Sequence, residues 1–200
     1  MTTDLRDRRR RQTARDIQLA ALRLSIQHGY ASVTTEAIAT EAGISPRTFF
    51  NYYNNKQAAI VGEPPVLRAA DNEWIVTSDN PLIEDLVTIL TDLLFNDVPE
   101  RDLIRMIYRL SEASPELAIV FRDSMDQIAQ ELAGLLQRRF GPDGRITAQL
   151  LGALAVRAFC EAMMQWGNDE TITTEQIPQL VRNHLRQVRD MLAQGGDREP

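Results

Sequence analysis

Residues 33–60 read VTTEAIATEAGISPRTFFNYYNNKQAAI, and this stretch contains three helix starts in close succession. Thr34, Ser45 and Asn55 are residue types that cap the N-terminus of a helix, and Pro46 suits the first helical position after Ser45. A glycine ends the first of these helices, and a single residue separates it from the next cap. Two short helices joined by so tight a turn predict a helix-turn-helix, whose second helix can lie in the major groove of DNA.

A further helix is predicted upstream, over residues 16–28, because the apolar residues there recur at the spacing of one helix face. Gly29 then supplies a stop. The four predicted helices of this region cover residues 16–28, 35–42, 47–53 and a segment that opens at Lys56.

The 200 residues carry a net charge of −6, which by itself argues against nucleic acid as a partner. The charge is unevenly distributed, however. Residues 1–60 hold nine basic and five acidic side chains, whereas residues 61–200 hold thirteen basic and twenty-three acidic ones. Such asymmetry indicates a basic binding end joined to an acidic remainder.

The densest run of basic side chains precedes the predicted first helix. As a flexible arm it can lie along phosphates or enter an A·T-rich minor groove, whose narrow width concentrates negative potential. A solvated, disordered tail explains the same residues equally well. The arginines assigned to the arm are Arg8, Arg9, Arg10 and Arg11.

Four aromatic side chains occupy five positions of the predicted second helix of the motif, and so short a helix cannot turn all of them to one core. One interpretation is that all of them pack against a neighbouring domain. The other is that Phe50 and Tyr52 project toward DNA with Arg47, Thr48 and Asn51, since such side chains contact thymine methyls, base edges and phosphates.

The same stretch strongly resembles the DNA-binding domain of the TetR family of bacterial repressors. The family pattern runs Thr, an Ile-Ala pair, Ala-Gly-Val-Ser, Thr-Leu/Phe-Tyr/Phe, an aromatic or His pair, and Lys. The matching residues are Thr35, Ile38-Ala39, Ala42-Gly43-Ile44-Ser45, Thr48-Phe49-Phe50, Tyr52-Tyr53 and Lys56. The resemblance covers about residues 12–61, roughly a quarter of the chain.

The resemblance implies that Phe49 and Tyr53 are core anchors. It also draws attention to Arg47, which stands where many relatives carry a small residue and which can bind guanine O6 and N7 bidentately. The positions implied to lie over bases are Pro46, Arg47, Thr48, Phe50 and Asn51, and those implied to hold phosphates are Thr35, Tyr52 and Lys56.

Beyond residue 61 the pattern is helical and shows no strand alternation, so the fold class is predicted to be all-α. We expect an N-terminal arm and three-helix helix-turn-helix domain over residues 1–61. A helical ligand-binding and dimerisation bundle is expected over residues 62–200. The further predicted helices cover residues 66–76, 82–95, 100–113, 116–140, 147–167 and 175–193, with breaks at Pro81, Pro99, Pro115 and Gly141-Pro142.

Gly62, Pro64 and Pro65 interrupt the chain where family members usually continue one long helix into the second domain. The break resembles that of a subset of actinobacterial TetR-like regulators, including the mycofactocin-associated type. A hinge is as good an interpretation of this segment as a rigid helix that transmits motion.

The last two predicted helices carry apolar stripes with small residues interleaved, which favours close approach of helices. In TetR relatives these helices build a four-helix dimer interface, and a two-fold dimer matches a palindromic operator. Burial within one chain is the alternative for the same stripes. The residues assigned to the interface are Leu151, Leu154, Ala158, Ala162, Val181, Leu185 and Val188.

The resemblance also implies a pocket for a small-molecule effector within the second domain. Such pockets are mostly apolar, although core packing is the commoner role of each candidate side chain. The candidates are Trp74, Met106, Tyr108, Phe121, Met125, Phe159 and Met163.

Other function classes find no support in the sequence. It contains no G-x-S-x-G, no Gly-rich phosphate loop and no cluster of His and Cys, so we expect no enzyme, no cofactor and no metal site. Apolar runs such as residues 150–156 are shorter than the ~18 residues of a membrane span. The charged N-terminus lacks the apolar region of a secretory signal, so we expect a cytoplasmic protein.

Together these features predict a homodimeric transcriptional repressor that a small molecule releases from a palindromic operator in double-stranded DNA. The alternative is an all-α protein that binds a small molecule or another protein and whose helix-turn-helix does not act on DNA.

Overall fold

A computed structural model describes residues 2–95 and 100–194, and within these ranges the protein is all-α, as predicted. The predicted break at Pro99 lies outside the described residues. Short 3₁₀ helices cover Tyr30–Ser32, Ala69–Val76, Pro142–Gly144 and Thr174–Gln176. The α-helices are α1 Thr2–His28, α2 Thr35–Glu41, α3 Pro46–Phe50, α4 Lys56–Val61, α5 Leu82–Phe95, α6 Arg101–Ala113, α7 Pro115–Phe140, α8 Arg145–Asn168 and α9 Ile177–Gln194.

The chain divides into two compact units. The first comprises residues 1–64 and 102–124, and the second comprises residues 65–101 and 125–200. The first unit therefore contains more than residues 1–61, the range predicted for the DNA-binding domain. It also takes in almost all of α6 and the first turns of α7. The sequence could not indicate this, because the two segments are separated by nearly forty residues.

One hydrophobic core holds the first unit together. Ile17 of α1, Ile38 of α2, Phe49 of α3 and Ile60 of α4 are fully buried in it, and α1 packs against both α2 and α4. The buried face of α6 and Leu117 at the start of α7 close the same core. Leu103, Ile107 and Leu110 supply that face of α6 at a spacing of four and three residues, which is one side of a helix.

The first helix begins far earlier than expected. We predicted a helix from residue 16 preceded by a flexible arm, but α1 already runs from Thr2 to His28. The predicted arm is therefore helical, and Arg8, Arg9, Arg10 and Arg11 are exposed on it. Arginine and glutamine are good helix formers, and neither glycine nor proline occurs before residue 29 to stop the helix.

The predicted break after α4 is present. The helix ends at Val61, and Gly62 follows with φ +81°, a conformation that glycine adopts readily and other residues rarely do. The α-helix predicted over residues 66–76 does not form. A 3₁₀ helix, Ala69–Val76, replaces it, and Asn72 inside that segment has non-helical angles of φ −117° and ψ 16°. Pro64 and Pro65, immediately upstream, disfavour a longer helix start.

In the second unit, α8 and α9 pack against each other and both contact α5. Gly152 allows α8 to approach α7 closely, since a Cβ at this position would lie 2.7 Å from the carbonyl oxygen of Ala129. A buried ion pair fixes α5 to α7. Arg139 contacts Asp85 at 2.6 Å, and their side chains are 16% and 1% exposed.

The expectation about membrane segments needs one correction. The stretch Pro142–Asn168 is long and apolar enough to cross a membrane by length and composition, although no single run of apolar residues reaches that length. Half of its most apolar window is buried inside the protein, which is also what the core helix of a non-membrane protein shows. The packing of α5 and α9 against α8 accounts for the apolar composition.

Candidate nucleic-acid interface

The three predicted helix caps are all in place. The hydroxyl of Thr34 accepts from the Ala37 amide at 3.1 Å and opens α2, and the hydroxyl of Ser45 accepts from the Thr48 amide at 3.1 Å and opens α3. Asn55 opens α4 in the same way. Each cap satisfies a backbone N–H that would otherwise lack a partner, so three very short helices gain defined starting points. The caps fix where each of the three helices begins.

The aromatic residues of α3 and of the turn that follows it divide between core and solvent. Phe49 is fully buried and Tyr53 is almost so, whereas 52% of Phe50 is exposed. The Phe50 ring lies edge-on against Phe49, with centroids 5.3 Å apart and an interplanar angle of 86°. Tyr53 also donates from its hydroxyl to the Ala14 carbonyl at 3.2 Å, which ties the end of the motif to α1. The Phe50 ring therefore packs against Phe49 on one side and is exposed to solvent on the other.

The positions that we predicted to lie over bases form one mostly exposed surface. Pro46, Arg47 and Asn51 are exposed beside Phe50, and Thr48 is half-buried. The Thr48 hydroxyl lies 2.8 Å from that of Ser45 and so takes part in the cap. Its methyl group is then the part of Thr48 suited to touch a thymine methyl.

The basic segment of α1 contacts the residues just after α3 at one point. The Arg10 guanidinium lies 5.5 Å from the centroid of the Tyr52 ring, within the range of a cation–π contact. Residues separated by 42 positions in sequence are thereby brought together. This contact brings the basic segment of α1 next to the end of α3, which the sequence did not reveal.

All three residues implied to hold phosphates contact other residues of the protein, Tyr52 through Arg10 and the other two through hydrogen bonds. The Thr35 hydroxyl donates to the Glu36 carboxylate at 3.2 Å, and hydrogen bonds from the Glu36 backbone, Thr35 and Thr34 lower the pKa of Glu36. The Lys56 ammonium donates to three backbone carbonyls, those of Tyr30, Ala31 and Val33, at 2.9, 3.4 and 3.0 Å.

Sequence reasoning missed three residues that make side-chain hydrogen bonds between elements of the first unit. Gln18 donates from its side-chain amide to the last carbonyls of α4. Tyr30 donates from its hydroxyl to Glu116 of α7 at 2.7 Å. Burial and this contact raise the pKa of Tyr30 to about 12. For Gln18 the only signal in the sequence was its position as a polar residue on the apolar face of α1. Nothing in the sequence marked Tyr30 or Glu116.

The predicted pocket residues divide between the two units. Met106, Tyr108 and Phe121 belong to the first unit, where the rings of Tyr108 and Phe121 pack edge to face with centroids 5.2 Å apart. Trp74, Met125, Phe159 and Met163 belong to the second unit, and the last two are buried. Core packing thus accounts for most of the set.

The residues predicted for the dimer interface differ in their exposure within one chain. Ala158, Ala162, Val181 and Leu185 are buried within the protomer, so they form its own core between α8 and α9. Only Leu151, Leu154 and Val188 retain partial exposure. The small residues of the stripe allow α9 to approach α8, which is a contact inside one chain.

The second unit also contains a cleft of about 500 Å³ between the 3₁₀ helix Ala69–Val76 and α7. The Glu73–Arg138 ion pair lies at this cleft, with contacts of 2.6 and 2.7 Å. No group of three or more His, Cys, Asp or Glu side chains suited to a metal ion occurs in the described part of the chain.

The capped helices and the exposed face of α3 define an all-α protein with an N-terminal helix-turn-helix. Comparison with known proteins points to a family for the N-terminal region. Residues 17–59 match the model of the bacterial regulatory proteins of the tetR family.

A curated relative supports the assignment. The chain is 31% identical over 101 residues to YvkB of Bacillus subtilis strain 168, an uncharacterized HTH-type transcriptional regulator. The match covers 50% of this chain and 52% of YvkB, so the chain spans about half the length of that relative.

Solved structures extend the likeness to the rest of the fold. A TetR-family transcriptional repressor of Thermus thermophilus, FadR in complex with lauroyl-CoA, gives a TM-score of 0.50 at 24% identity and covers 86% of this chain and 91% of its own. A TetR-family regulator of Syntrophomonas wolfei gives a TM-score of 0.55 at 14% identity, with 87% and 93% covered. At these identities the likeness shows the fold.

Proposed function

We propose that this protein is a homodimeric repressor that binds a palindromic operator and is released from it by a small-molecule effector. The observation that carries the proposal is the divided surface of α3. Phe49 and Tyr53 anchor the helix in the core, while Arg47, Phe50 and Asn51 are exposed beside one another. A rigid short helix that presents an arginine, an aromatic ring and an amide has the donors and apolar groups that read base edges.

Charge supports the same proposal. The exposed arginines near the start of α1 are next to the reading surface through the Arg10–Tyr52 contact. In this proposal Arg8, Arg9, Arg10 and Arg11 bind phosphates from the first turns of a helix rather than from a flexible arm. The acidic residues are concentrated beyond residue 60, in the part of the chain that need not touch DNA.

The proposed dimer uses a surface that the sequence did not indicate. On α8, Ile146 and Leu150 are four residues apart on one helix face and are 65% and 67% exposed. On α9, Met191 and Leu192 are 67% and 74% exposed. Large apolar side chains at such exposure favour burial against a second copy. Leu151, Leu154 and Val188 keep their place at the edge of this proposed interface.

The proposed release follows from population shift. In the dimer two α3 helices lie about one DNA turn apart, roughly 34–36 Å, and an effector that prefers a form with another spacing lowers operator affinity. An effector that bound both forms equally would leave the operator affinity unchanged. FadR of Thermus thermophilus was solved with lauroyl-CoA, which supports a ligand-holding role for this fold without specifying the ligand here.

The proposal is tested by measuring binding to duplex DNA from immediately upstream of the protein's own coding region. We expect preference for this DNA over a random duplex of equal length, and a linear fall of log K with log salt concentration. Fluorescence anisotropy between about 50 and 200 mM salt covers the useful range.

A matched pair of variants serves as the control. Arg47→Gln and Arg122→Gln remove the same charge from exposed positions, Arg47 on α3 and Arg122 on α7. We expect only Arg47→Gln to weaken the preferred complex. Equal affinity of the wild-type protein for preferred and random DNA would contradict the proposed function and favour the alternative, a binding protein that does not act on DNA.

A further inference from the structure

The ammonium group of Lys56 is fully occupied inside the first unit. Lys56 is the first residue of α4, directly after the Asn55 cap. Its nitrogen donates to the carbonyls of Tyr30, Ala31 and Val33 and lies 4.3 Å from the centroid of the Tyr30 ring. A lysine ammonium has three N–H groups, and three carbonyl acceptors use all of them.

These carbonyls belong to the turn that sets the start of α2. Gly29 directly follows α1 and has φ +82°. Residues 30–33 connect it to Thr34, the cap of α2. Within the turn, the Ser32 hydroxyl donates to the carbonyls of His28 and Gly29 at 2.6 and 2.9 Å, but these bonds are local and do not tie the turn to α4. The residues of the turn other than Val33 are at least partly exposed. The charged Lys56 ammonium, which donates to three carbonyls of the turn, therefore stabilises its backbone conformation.

The same turn is tied on its other side to α7. The Tyr30 hydroxyl donates to Glu116 in the first turn of α7 at 2.7 Å, while the Tyr30 ring lies under Lys56. Lys56, Tyr30 and Glu116 therefore form a chain of contacts from α4, through the turn before α2, to α7.

We infer that Lys56 is a positioning residue for DNA recognition, acting through the turn and Tyr30 rather than by contacting a phosphate, with Glu116 as the far end of the same link. The inference rests on the proposed DNA-binding function. A phosphate contact would require the ammonium to leave three carbonyl acceptors, whose hydrogen bonds would then be lost. The link joins the start of α4 and the turn before α2 to the first turn of α7 through Tyr30.

The salt dependence of DNA binding distinguishes the two roles of Lys56. Each phosphate contact contributes about 0.9 to the slope of log K against log salt concentration. We expect Lys56→Met, which keeps the aliphatic stem, to weaken binding about tenfold with an unchanged slope. Arg9→Gln, which removes a proposed phosphate ligand, should lower the magnitude of the slope by about 0.9 per protomer. The same decrease for Lys56→Met would overturn the inference.

A second pair of variants tests the far end of the link and does not depend on Lys56→Met folding. Tyr30→Phe removes one oxygen, and Glu116→Ala removes the exposed acceptor. If the link acts in DNA binding, each variant weakens binding, and the double variant weakens it no more than the stronger single one. Additive effects on affinity, or no effect, would overturn the inference.

Two controls separate other outcomes. Urea unfolding of each variant shows whether lost affinity follows lost folding, because a variant with wild-type unfolding and reduced affinity has lost positioning. The wild-type protein is measured on the same DNA. If it binds no DNA at all, the proposed function fails, whereas wild-type binding with a reduced slope for Lys56→Met contradicts only the inference about Lys56.

Discussion

The side-chain amide of Gln18 on α1 donates to the carbonyl oxygen of Val61 at 3.0 Å and so satisfies the last turn of α4. It also reaches the Ile60 carbonyl at 3.3 Å. Gly62 follows at φ +81°, and a Cβ built there would lie 2.1 Å from the Gln18 amide nitrogen. The end of α4 therefore depends on a glycine at one position and an amide at another, 43 to 44 residues apart.

Gly62→Ala should destabilise the protein by about 2–4 kcal/mol, because a strained backbone is combined with displacement of the Gln18 amide. Urea unfolding measures the change. Gly29→Ala is the matched control, since Gly29 also has a positive φ of +82° but no atom within 4 Å of a built Cβ. A Gly62→Ala variant no less stable than Gly29→Ala would show that the Gln18 contact contributes nothing.

Asp85→Ala should lower the free energy of unfolding by about 3–5 kcal/mol, because it leaves the Arg139 guanidinium without its buried partner. Asp85 is 1% exposed and Arg139 is 16% exposed, and Arg139 also donates to the carbonyls of Ser78 and Asn80. Chemical denaturation of the purified variant measures the loss.

The control is an exposed pair in the same unit. Arg138 binds Glu73 through two contacts of 2.6 and 2.7 Å, but the two side chains are 48% and 55% exposed. Solvent screens such a pair, so Glu73→Ala should cost only about 0.2–1 kcal/mol. Similar losses for Asp85→Ala and Glu73→Ala would mean that burial does not decide the strength of these pairs.

The sequence predicted those features of the fold that depend on contacts between residues close together in the chain. Thr34, Ser45 and Asn55 cap the helices that follow them because a cap requires only a side chain and an amide three residues later. The Gln18–Val61 and Arg139–Asp85 contacts join residues 43 and 54 positions apart. No spacing rule connects such positions, so the contacts became known only from the folded chain.

Alkaline pH should destabilise the first unit through two tyrosines. Burial and Glu116 raise the pKa of Tyr30 to about 12, and burial together with the Glu63 carboxylate raises the pKa of Tyr53 further. A tyrosine with a raised pKa binds its proton more tightly in the folded state. Its contribution is therefore complete below about pH 10, the unfolded value, and is lost as pH rises through the folded pKa.

We expect the urea midpoint of the wild-type protein to fall between about pH 10 and 12. The variant Tyr30→Phe/Tyr53→Phe should have a lower midpoint at pH 8, because two hydrogen bonds are lost, and a weaker dependence on pH above 10. If the variant and the wild-type protein lose stability equally over this range, the two phenols are not its source.

Leu150→Glu should convert the proposed dimer to a monomer, because it places a charge in the apolar surface of Ile146, Leu150, Met191 and Leu192. Sedimentation velocity at micromolar concentration measures the change. Ile119→Glu is the matched control, since Ile119 is an exposed apolar residue on α7, 48% accessible and outside this surface. Dissociation by both variants, or by neither, would contradict the assigned surface.

The reading surface was only partly predictable from sequence. The helix pattern identifies α3 and shows that the four aromatics of residues 49–53 cannot all face one core. It left open whether all of them pack against a neighbouring domain or two of them project toward DNA. It does not show that α1 begins at Thr2 and brings Arg10 to within 5.5 Å of the Tyr52 ring centroid. Helix length depends on summed propensity over many residues without a breaker, and tertiary contact decides which turns persist.

Arg47→Ala should weaken the preferred operator complex by about 1–3 kcal/mol and relax the preference at one base pair, because a bidentate guanine contact is lost. Arg47→Lys separates charge from geometry, since it keeps the cation but not the two parallel donors. We therefore expect Arg47→Lys to retain the salt slope of the wild-type protein while losing the same base preference. Selection of preferred sequences from a random duplex pool, carried out for all three proteins, measures this directly. An unchanged base preference in Arg47→Ala would remove Arg47 from the reading surface and leave Phe50 and Asn51 as its centre.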